Sequence, residues 1–190
     1  MRFEKGHKEN TRRRIIDVAA KRFRRDGISA SGLAGIMSEC GLTNGAFYPH
    51  FDSKETLVKE ALSSALHGQY CALTNDQTGA RTIEEAIRRY LNTSHLSGCA
   101  DGCPSAALLP EIGRQSHSTR KIYEAAYLSY GEGLAALLPD PGSAKARRQA
   151  AAIFGLMVGT MQIARAVSDP ELAEEILEGG VQAALTLSHG

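Results

Sequence analysis

A short run, Thr43 to Tyr48, carries side chains whose types and spacing suit contact with DNA. It begins with small polar residues, passes through Gly45 and Ala46, and ends with two aromatic residues. A helix enters the major groove with its first turn toward the base edges, which requires that end to be slender. Nearby hydroxyl, imidazole and ammonium groups can contact phosphates. The predicted contact set is Ser31, Thr43, Asn44, Gly45, Ala46, Phe47, Tyr48, His50 and Lys54.

Two short helices joined by a tight turn must position this run. The first is predicted from apolar residues at i, i+3, i+4 and i+7, with Ser31 as its cap. Gly41 suits the left-handed residue that ends a helix, and Thr43 suits the cap of the next one, which stops before Pro49. Ser53 is the predicted cap of the helix that follows. The apolar positions of the first helix are Leu33, Ile36, Met37 and Cys40.

The same layout would also suit a pair of packed helices without any DNA contact, and charge favours the DNA interpretation. Residues 1–60 hold 12 Lys and Arg against 8 Asp and Glu, whereas residues 61–190 hold 10 against 13. The excess is concentrated in residues 1–26, with 10 basic and 4 acidic residues. A first helix facing phosphates needs such a charge, although a solvated helix face would show it too.

The segment TNGAFYPHFDSKETL, preceded by TRRRIIDVAAKRFRRDGI, resembles the N-terminal domain of the TetR (tetracycline-repressor-like) family of bacterial transcriptional regulators. The resemblance implies a three-helix DNA-binding domain, residues 1–52, and a larger helical domain, residues 53–190, that binds an effector and forms a homodimer. It also implies a repressor released from a palindromic operator by a small, mostly apolar effector. Ala34 and Met37 depart from the family pattern, so the operator sequence is not implied.

The remainder of the chain predicts an all-α fold of about nine helices, since alternating β-branched runs are absent and helix formers fill helical periods. Thr82 and Glu85 form a capping box at the start of a helix that reaches His95 and Ser97. The helix from Ser143 is apolar nearly all round between residues 150 and 161, which is shorter than the ~18 residues needed to span a bilayer. We therefore expect a core helix and no membrane partner.

Gly155 and Gly159 lie one turn apart on that helix and allow close backbone approach. Together with the last helix, they predict a four-helix bundle between two copies of the chain. Ordinary packing within one chain would explain the glycines equally well.

A small-molecule pocket is predicted from tyrosines, methionines and other apolar residues at helical spacing, because such side chains suit varied apolar ligands. The same residues could simply form a core. No charged pair accompanies them, which favours an uncharged or weakly polar effector. The predicted lining is Tyr70, Tyr90, Leu108, Ile112, Tyr123, Tyr127, Phe154, Met157 and Met161.

Cys99 and Cys103 suggest an alternative means of regulation. Cys103 precedes Pro104 at a helix start, where the helix N-terminus can stabilise a thiolate that reacts with oxidants or electrophiles. Inert packing is the other interpretation. The C-x-x-x-C spacing is poor for zinc, so no metal is predicted, and four cysteines in this chain do not form a disulfide framework.

Three further expectations concern location and class. The opening MRFEKGHKEN lacks the apolar core of a secretory signal, which predicts a cytoplasmic protein. The six histidines are scattered, and no nucleophile, metal-protease, P-loop or dinucleotide motif is present, so we expect no enzyme and no cofactor. A helical adaptor for protein partners stays an alternative, and it would lack salt-dependent affinity for DNA.

Overall fold

The computed structural model describes residues 3–75 and 77–189 and is all-helical over them, which confirms the predicted fold class. It contains nine α-helices in these residues, and a 3₁₀-helix, Asn44–Ala46, lies between the second and the third. The α-helices are α1 Phe3–Asp26, α2 Leu33–Glu39, α3 Lys54–Thr74, α4 Ile83–Tyr90, α5 Thr93–Ser97, α6 Pro104–Ile112, α7 His117–Ala135, α8 Ala144–Ala166 and α9 Pro170–His189.

Two hydrophobic cores organise these helices. The N-terminal core joins α1, α2 and the first part of α3, and it also takes in Leu108 and Ile112 from α6. The C-terminal core is formed from the end of α3 through α9. Helix α3 contributes Leu66 to the first core and Leu73 to the second, so it connects them. The predicted domain boundary between residues 52 and 53 stays a prediction.

Side-chain caps explain several helix starts. The Ser53 hydroxyl accepts a hydrogen bond from the Thr56 N–H, and the Thr82 hydroxyl accepts one from the Glu85 N–H, as predicted. Each satisfies a backbone donor that the first turn leaves free. Gly41 has the predicted positive φ of 64° where α2 ends.

The helix expected to run from Thr82 to Ser97 is divided in two. Helix α4 ends at Tyr90, and Leu91 leaves the helical region with φ −92° and ψ 81°. Asn92 then caps α5 by accepting a hydrogen bond from the His95 N–H. The Asn92 side chain accepts a hydrogen bond that a continuous helix would not offer it, and so it favours a new helix start here. The apolar periodicity alone did not predict this break.

Helices α8 and α9 pack against each other and leave part of their surface open. A Cβ added at Gly155 or Gly159 would meet no atom within 4 Å, so these glycines do not serve packing within the chain. Gly180 does, because a Cβ there would lie 2.5 Å from the side chain of Thr160. Across the described residues, no helix combines the length and hydropathy needed to cross a bilayer.

Candidate functional site

Four residues of the predicted contact run lie on the protein surface, namely Thr43, Asn44, Gly45 and Tyr48, which we call the exposed tip. Tyr48 is 66% exposed, a large value for an aromatic side chain. Ala46 and His50 are half-buried. The tip is a short 3₁₀-helix rather than the expected α-helix, with the Phe47 N–H donating to the Asn44 carbonyl.

Phe47 belongs to the support of the tip and not to its surface, so its prediction as a DNA contact is wrong. Its side chain is fully buried, and its ring stacks on Phe51 with centroids 5.4 Å apart. The Tyr48 ring meets Phe47 edge-on at 5.5 Å. Buried aromatic pairs hold their neighbours in fixed geometry, and Phe47 therefore anchors the tip to the N-terminal core.

Ser31 was also predicted to contact DNA and to cap α2, and both predictions are wrong. Gly32 occupies the cap position without a side-chain hydrogen bond. Ser31 is fully buried, and its hydroxyl donates to the Gly27 carbonyl over 2.7 Å. The hydroxyl therefore satisfies a carbonyl left free at the end of α1 instead of the donors at the start of α2.

Basic groups from α1 lie beside the tip. Burial lowers the pKa of His50, and the charges of Lys8 and Arg12 lower it further, whereas the charge of Glu9 opposes them. Arg12 pairs with Glu60 at 2.5 Å, and its guanidinium lies 4.8 Å from the centre of the Phe51 ring. Lys8 and Arg12 are therefore the basic residues available for phosphate contacts here, and Arg12 is already paired with Glu60.

Lys54 has a partner inside the protein. Its Nζ donates to the Ile28 carbonyl at 2.9 Å, which links the start of α3 to the loop after α1. An ammonium group has three donors, so two others remain for a phosphate at the N-terminus of α3. The contact to DNA stays a prediction for this residue.

A cleft of about 670 Å³ lies between α1, α3, α4 and the loop before α6, and we call it the α1 cleft. Its inner wall is formed by buried residues, including Tyr90, Cys103 and Tyr130. Its rim is charged. The charged and imidazole side chains of the lining are Asp17, Lys21, Arg24, Arg89, His95 and Asp101.

Of the predicted effector lining, only Tyr90 borders this cleft, so the cleft differs from the predicted pocket, which stays a prediction. Leu108 and Ile112 fill the N-terminal core, while Met157 and Met161 are fully buried in the C-terminal core. The remaining side chains pack on one another: Tyr127 and Tyr130 both lie against the Phe154 ring, and the hydroxyls of Tyr123 and Ser105 share a hydrogen bond. Tyr70 lies near Gly133.

Sequence reasoning missed the residues of α1 that border the cleft. Arg24 donates from Nε to the Ala100 carbonyl at 2.6 Å, across 76 positions in the chain. Lys21 pairs with Asp101 at 2.8 Å. In the sequence both belong to a basic run that a DNA-facing helix explains, so no local signal separates their roles.

The two cysteines of interest lie at the same junction. The Cys103 thiol accepts a hydrogen bond from Gln69 at 3.0 Å, and the Cys99 thiol donates to the Arg24 carbonyl at 3.0 Å. Cys40, Cys71, Cys99 and Cys103 are all free thiols. Among residues 3–75 and 77–189, no group of three potential metal ligands comes together.

His95 is fixed in one neutral form beside Cys103. Its Nδ1 lies 2.7 Å from the Tyr90 carbonyl, and its Nε2 accepts a hydrogen bond from the Cys103 N–H at 2.9 Å. Since a carbonyl can only accept, Nδ1 carries the proton. Burial lowers the pKa of His95, and the charge of Arg165 acts in the same direction, whereas the Tyr90 carbonyl opposes both.

An all-helical chain in which α2 and the next short helix present an exposed tip beside cations has the architecture of a helix-turn-helix protein. Comparisons with known proteins agree. Residues 15–61 match the sequence model of the bacterial regulatory proteins of the tetR family. This match covers about a quarter of the chain, and it is the segment that contains α2 and the exposed tip.

Individual relatives show how far the likeness extends. The HTH-type transcriptional regulator SrpR of Pseudomonas putida is 34% identical over 87 residues, which are 46% of this chain and 41% of SrpR. The chain therefore spans about two fifths of that relative. A TetR-family regulator from Agrobacterium tumefaciens has the same fold with a TM-score of 0.76, 20% identity, and coverage of 93% of this chain and 98% of the other. Reduced E. coli NemR gives a TM-score of 0.74 at 20% identity, with coverage of 93% and 96%.

Proposed function

We propose that the protein is a transcriptional regulator that binds double-stranded DNA as a homodimer in the cytoplasm. The exposed tip enters the major groove, and the basic groups of α1 contact the phosphates on either side. The observation that carries this proposal is the contrast within the run itself: Asn44 and Tyr48 are exposed, while Phe47 between them is buried and fixed. A recognition element needs exposed polar groups on a rigid support.

Dimerisation would place two tips in successive grooves of a palindrome. The open surface of α8 and α9 supports this, since Gly155 and the 57%-exposed Ile163 are exposed on α8, and a Cβ added at Gly159 would meet no neighbouring helix within 4 Å. Leu172 and Leu187 of α9 are exposed as well. Small and apolar residues on two adjacent helices suit a four-helix bundle with a second copy.

The direct test is binding of purified protein to duplex DNA from the intergenic region upstream of its own gene, followed by fluorescence anisotropy. We expect tighter binding there than to a random duplex of equal length, and loss of that preference in Asn44→Ala. Glu124→Gln on the exposed surface of α7 is the matched control and should bind like the wild type. Equal affinity of the wild type for both duplexes would contradict specific recognition.

The finer proposal is a repressor released by a small, mostly apolar effector. The α1 cleft supports it, because it is large enough for such a molecule and has a buried inner wall. The cleft is also connected to the loop before α2. Cys103 borders it at the start of α6, and Glu111 near the end of α6 accepts hydrogen bonds from the N–H groups of Ile28 and Ser29 in the loop before α2.

Gly27 allows this contact between α6 and the loop. Its φ is +88°, and a Cβ there would lie 2.7 Å from a carboxylate oxygen of Glu111. Effector binding that displaces α6 would therefore also move the loop from which α2 begins. A change of operator affinity by about 1–3 kcal/mol is the usual scale of such coupling.

A second candidate is regulation by oxidation or electrophile modification of Cys103, favoured by the position of its thiol at the wall of the α1 cleft beside Gln69. An α,β-unsaturated carbonyl would react there: sulfur bonds to the β-carbon, and a proton is taken up at the α-carbon. N-ethylmaleimide should then release the wild type and Cys71→Ser from DNA, while Cys103→Ser stays bound. Equal release of Cys103→Ser would exclude Cys103 as the sensor.

A further inference from the structure

The α1 cleft contains a cation that lacks an anionic partner. The guanidinium of Arg24 makes one hydrogen bond, to the neutral Ala100 carbonyl. Among the described residues, no carboxylate lies within 4.0 Å of it, whereas Lys21 is paired with Asp101 and Arg89 with Glu85. Arg24 is half-buried, so water compensates its charge less well than at the surface.

Electrostatics within the cleft agree with this geometry. Burial lowers the pKa of Arg24, and although Asp101, Cys99 and Cys103 act in the opposite direction, burial is the larger effect. A partly desolvated guanidinium gains most from an anion that forms hydrogen bonds with its planar donors. Two carboxylates border the cleft, but Asp101 is engaged by Lys21 and Asp17 lies at the exposed rim.

The inner part of the cleft has a different character. Leu73, Ala86 and Tyr130 are buried there, and Tyr90 beside them is 6% exposed. The Tyr90 hydroxyl has no hydrogen-bond partner of acceptable geometry among the described residues, although the Cys103 thiol lies nearby. This wall suits an apolar or aromatic group, with few polar groups to fix its orientation.

We infer that the effector is an amphipathic anion, whose apolar body lies against the inner wall of the α1 cleft and whose carboxylate, sulfonate or phosphate pairs with Arg24. This inference rests on the proposed function and specifies the chemistry of its ligand. It modifies the expectation of an uncharged effector, because the cationic side chain comes from α1, outside the residues from which that expectation was drawn.

The position of Arg24 gives the anion a direct effect on the DNA-binding part. Arg24 lies on α1, which packs against α2 and α3 in the N-terminal core, while its partner Ala100 lies in the loop before α6. An anion bound by the guanidinium would change the strength of the hydrogen bond between Arg24 and the Ala100 carbonyl. The ligand thus contacts α1 directly, and it also affects the loop before α2 through α6 and Glu111.

A pair of fluorescent probes tests the inference. Anilinonaphthalene sulfonate and phenylnaphthylamine share one aromatic body, and only the first carries a negative charge. Loss of a charge-assisted hydrogen bond should weaken sulfonate binding by about tenfold or more in Arg24→Gln, with phenylnaphthylamine affinity unchanged. Arg24→Lys should retain part of the sulfonate affinity, since it keeps the charge.

Arg25→Gln is the matched control, because Arg25 is the next residue of α1, is exposed, and does not border the cleft. It should bind both probes like the wild type. Circular dichroism melting must show that Arg24→Gln is folded. Unchanged sulfonate affinity in Arg24→Gln, or an equal loss of affinity for both probes, would overturn the inference.

The experiments distinguish failure of the proposed function from failure of this inference. If the protein binds the sulfonate through Arg24 but binds no duplex, the inference of an anionic ligand is supported and the proposed regulatory function is contradicted. If the protein binds its operator and its sulfonate affinity does not depend on Arg24, the proposed regulatory function is supported and the inference of an anionic ligand is contradicted.

Discussion

The exposed tip and the α1 cleft are both suited to binding a partner, but they are built in opposite ways. The tip consists of residues within one run of six, and one buried side chain of that run, Phe47, supports it. The cleft is assembled from α1, α3, α4 and the loop before α6, with Arg24 and Ala100 in contact across 76 positions. A local element can keep its geometry when distant parts move, whereas an assembled cleft changes shape with them. This difference suits a constant DNA contact and a variable regulatory site.

The largest expected effect is the loss of the support of the tip. Phe47→Ala removes a fully buried ring that stacks on Phe51 and should lower the free energy of unfolding by about 3–5 kcal/mol. Urea denaturation measures this loss. Tyr48→Ala is the matched variant, since its ring is 66% exposed, and it should change stability by less than about 0.5 kcal/mol. Similar losses in both variants would contradict the division between support and surface.

A smaller effect is expected where the two regions are connected. Glu111→Gln removes the charge that accepts hydrogen bonds from Ile28 and Ser29, and should lower the free energy of unfolding by about 1.5 kcal/mol. Amide hydrogen exchange at Ile28 and Ser29 should become faster. Glu124→Gln removes an exposed carboxylate from α7 and serves as the control. Unchanged exchange at both amides in Glu111→Gln would mean that α6 does not hold the loop.

The wall of the cleft should respond to pH. Burial lowers the pKa of His95 below its ordinary value of about 6.5, so the unfolded chain takes up this proton first as pH falls. Stability is therefore lost as pH falls below about 6.5 and down through the lowered pKa, because a protonated Nε2 would face the Cys103 N–H. Melting temperatures between pH 7.5 and 5 should fall less steeply in His95→Gln. His50 has a shift of the same sign and remains in both proteins, so equal slopes would exclude His95 as the cause.

The smallest effect concerns Lys54 at the start of α3. Its Nζ donates to the Ile28 carbonyl and leaves two donors for a phosphate. If Lys54 makes one phosphate contact, Lys54→Ala should weaken binding to all duplexes and reduce the magnitude of the negative slope of log affinity against log salt by about 0.9. Arg89→Ala, on the far side of the cleft, should leave the slope unchanged. A slope in Lys54→Ala equal to that of the wild type would mean that Lys54 makes no phosphate contact and binds only the Ile28 carbonyl.

The same difference between the two regions explains what the sequence could predict. Gly41 and Ser53 act through neighbours a few positions away, and their roles follow from local backbone chemistry. Thr43 occupies its predicted cap position, but it makes no side-chain cap hydrogen bond there. Within this region the predictions for Ser31 and Phe47 are wrong, because both side chains are buried. Neither residue type decides between surface and core without knowledge of the packing around it.

The cleft could not be predicted because its chemistry depends on long-range contacts. Tyrosines and methionines at helical spacing predicted a pocket, but Phe154, Met157 and Met161 fill the C-terminal core instead. Arg24 gave no signal of its own within a basic helix. Periodicity shows which face of a helix is covered, yet it does not show where neighbouring helices fail to meet.

The central claim is that the exposed tip reads a DNA sequence, and selection from a random duplex library by the purified protein tests it most directly. The account predicts an enriched inverted repeat whose half-sites lie about one helical turn apart, roughly 34–36 Å. Asn44→Ala should lose or alter the enriched bases while the protein stays folded. A library that shows no enrichment with the wild type, or the same enriched sequence with Asn44→Ala and Tyr48→Ala as with the wild type, would contradict the claim.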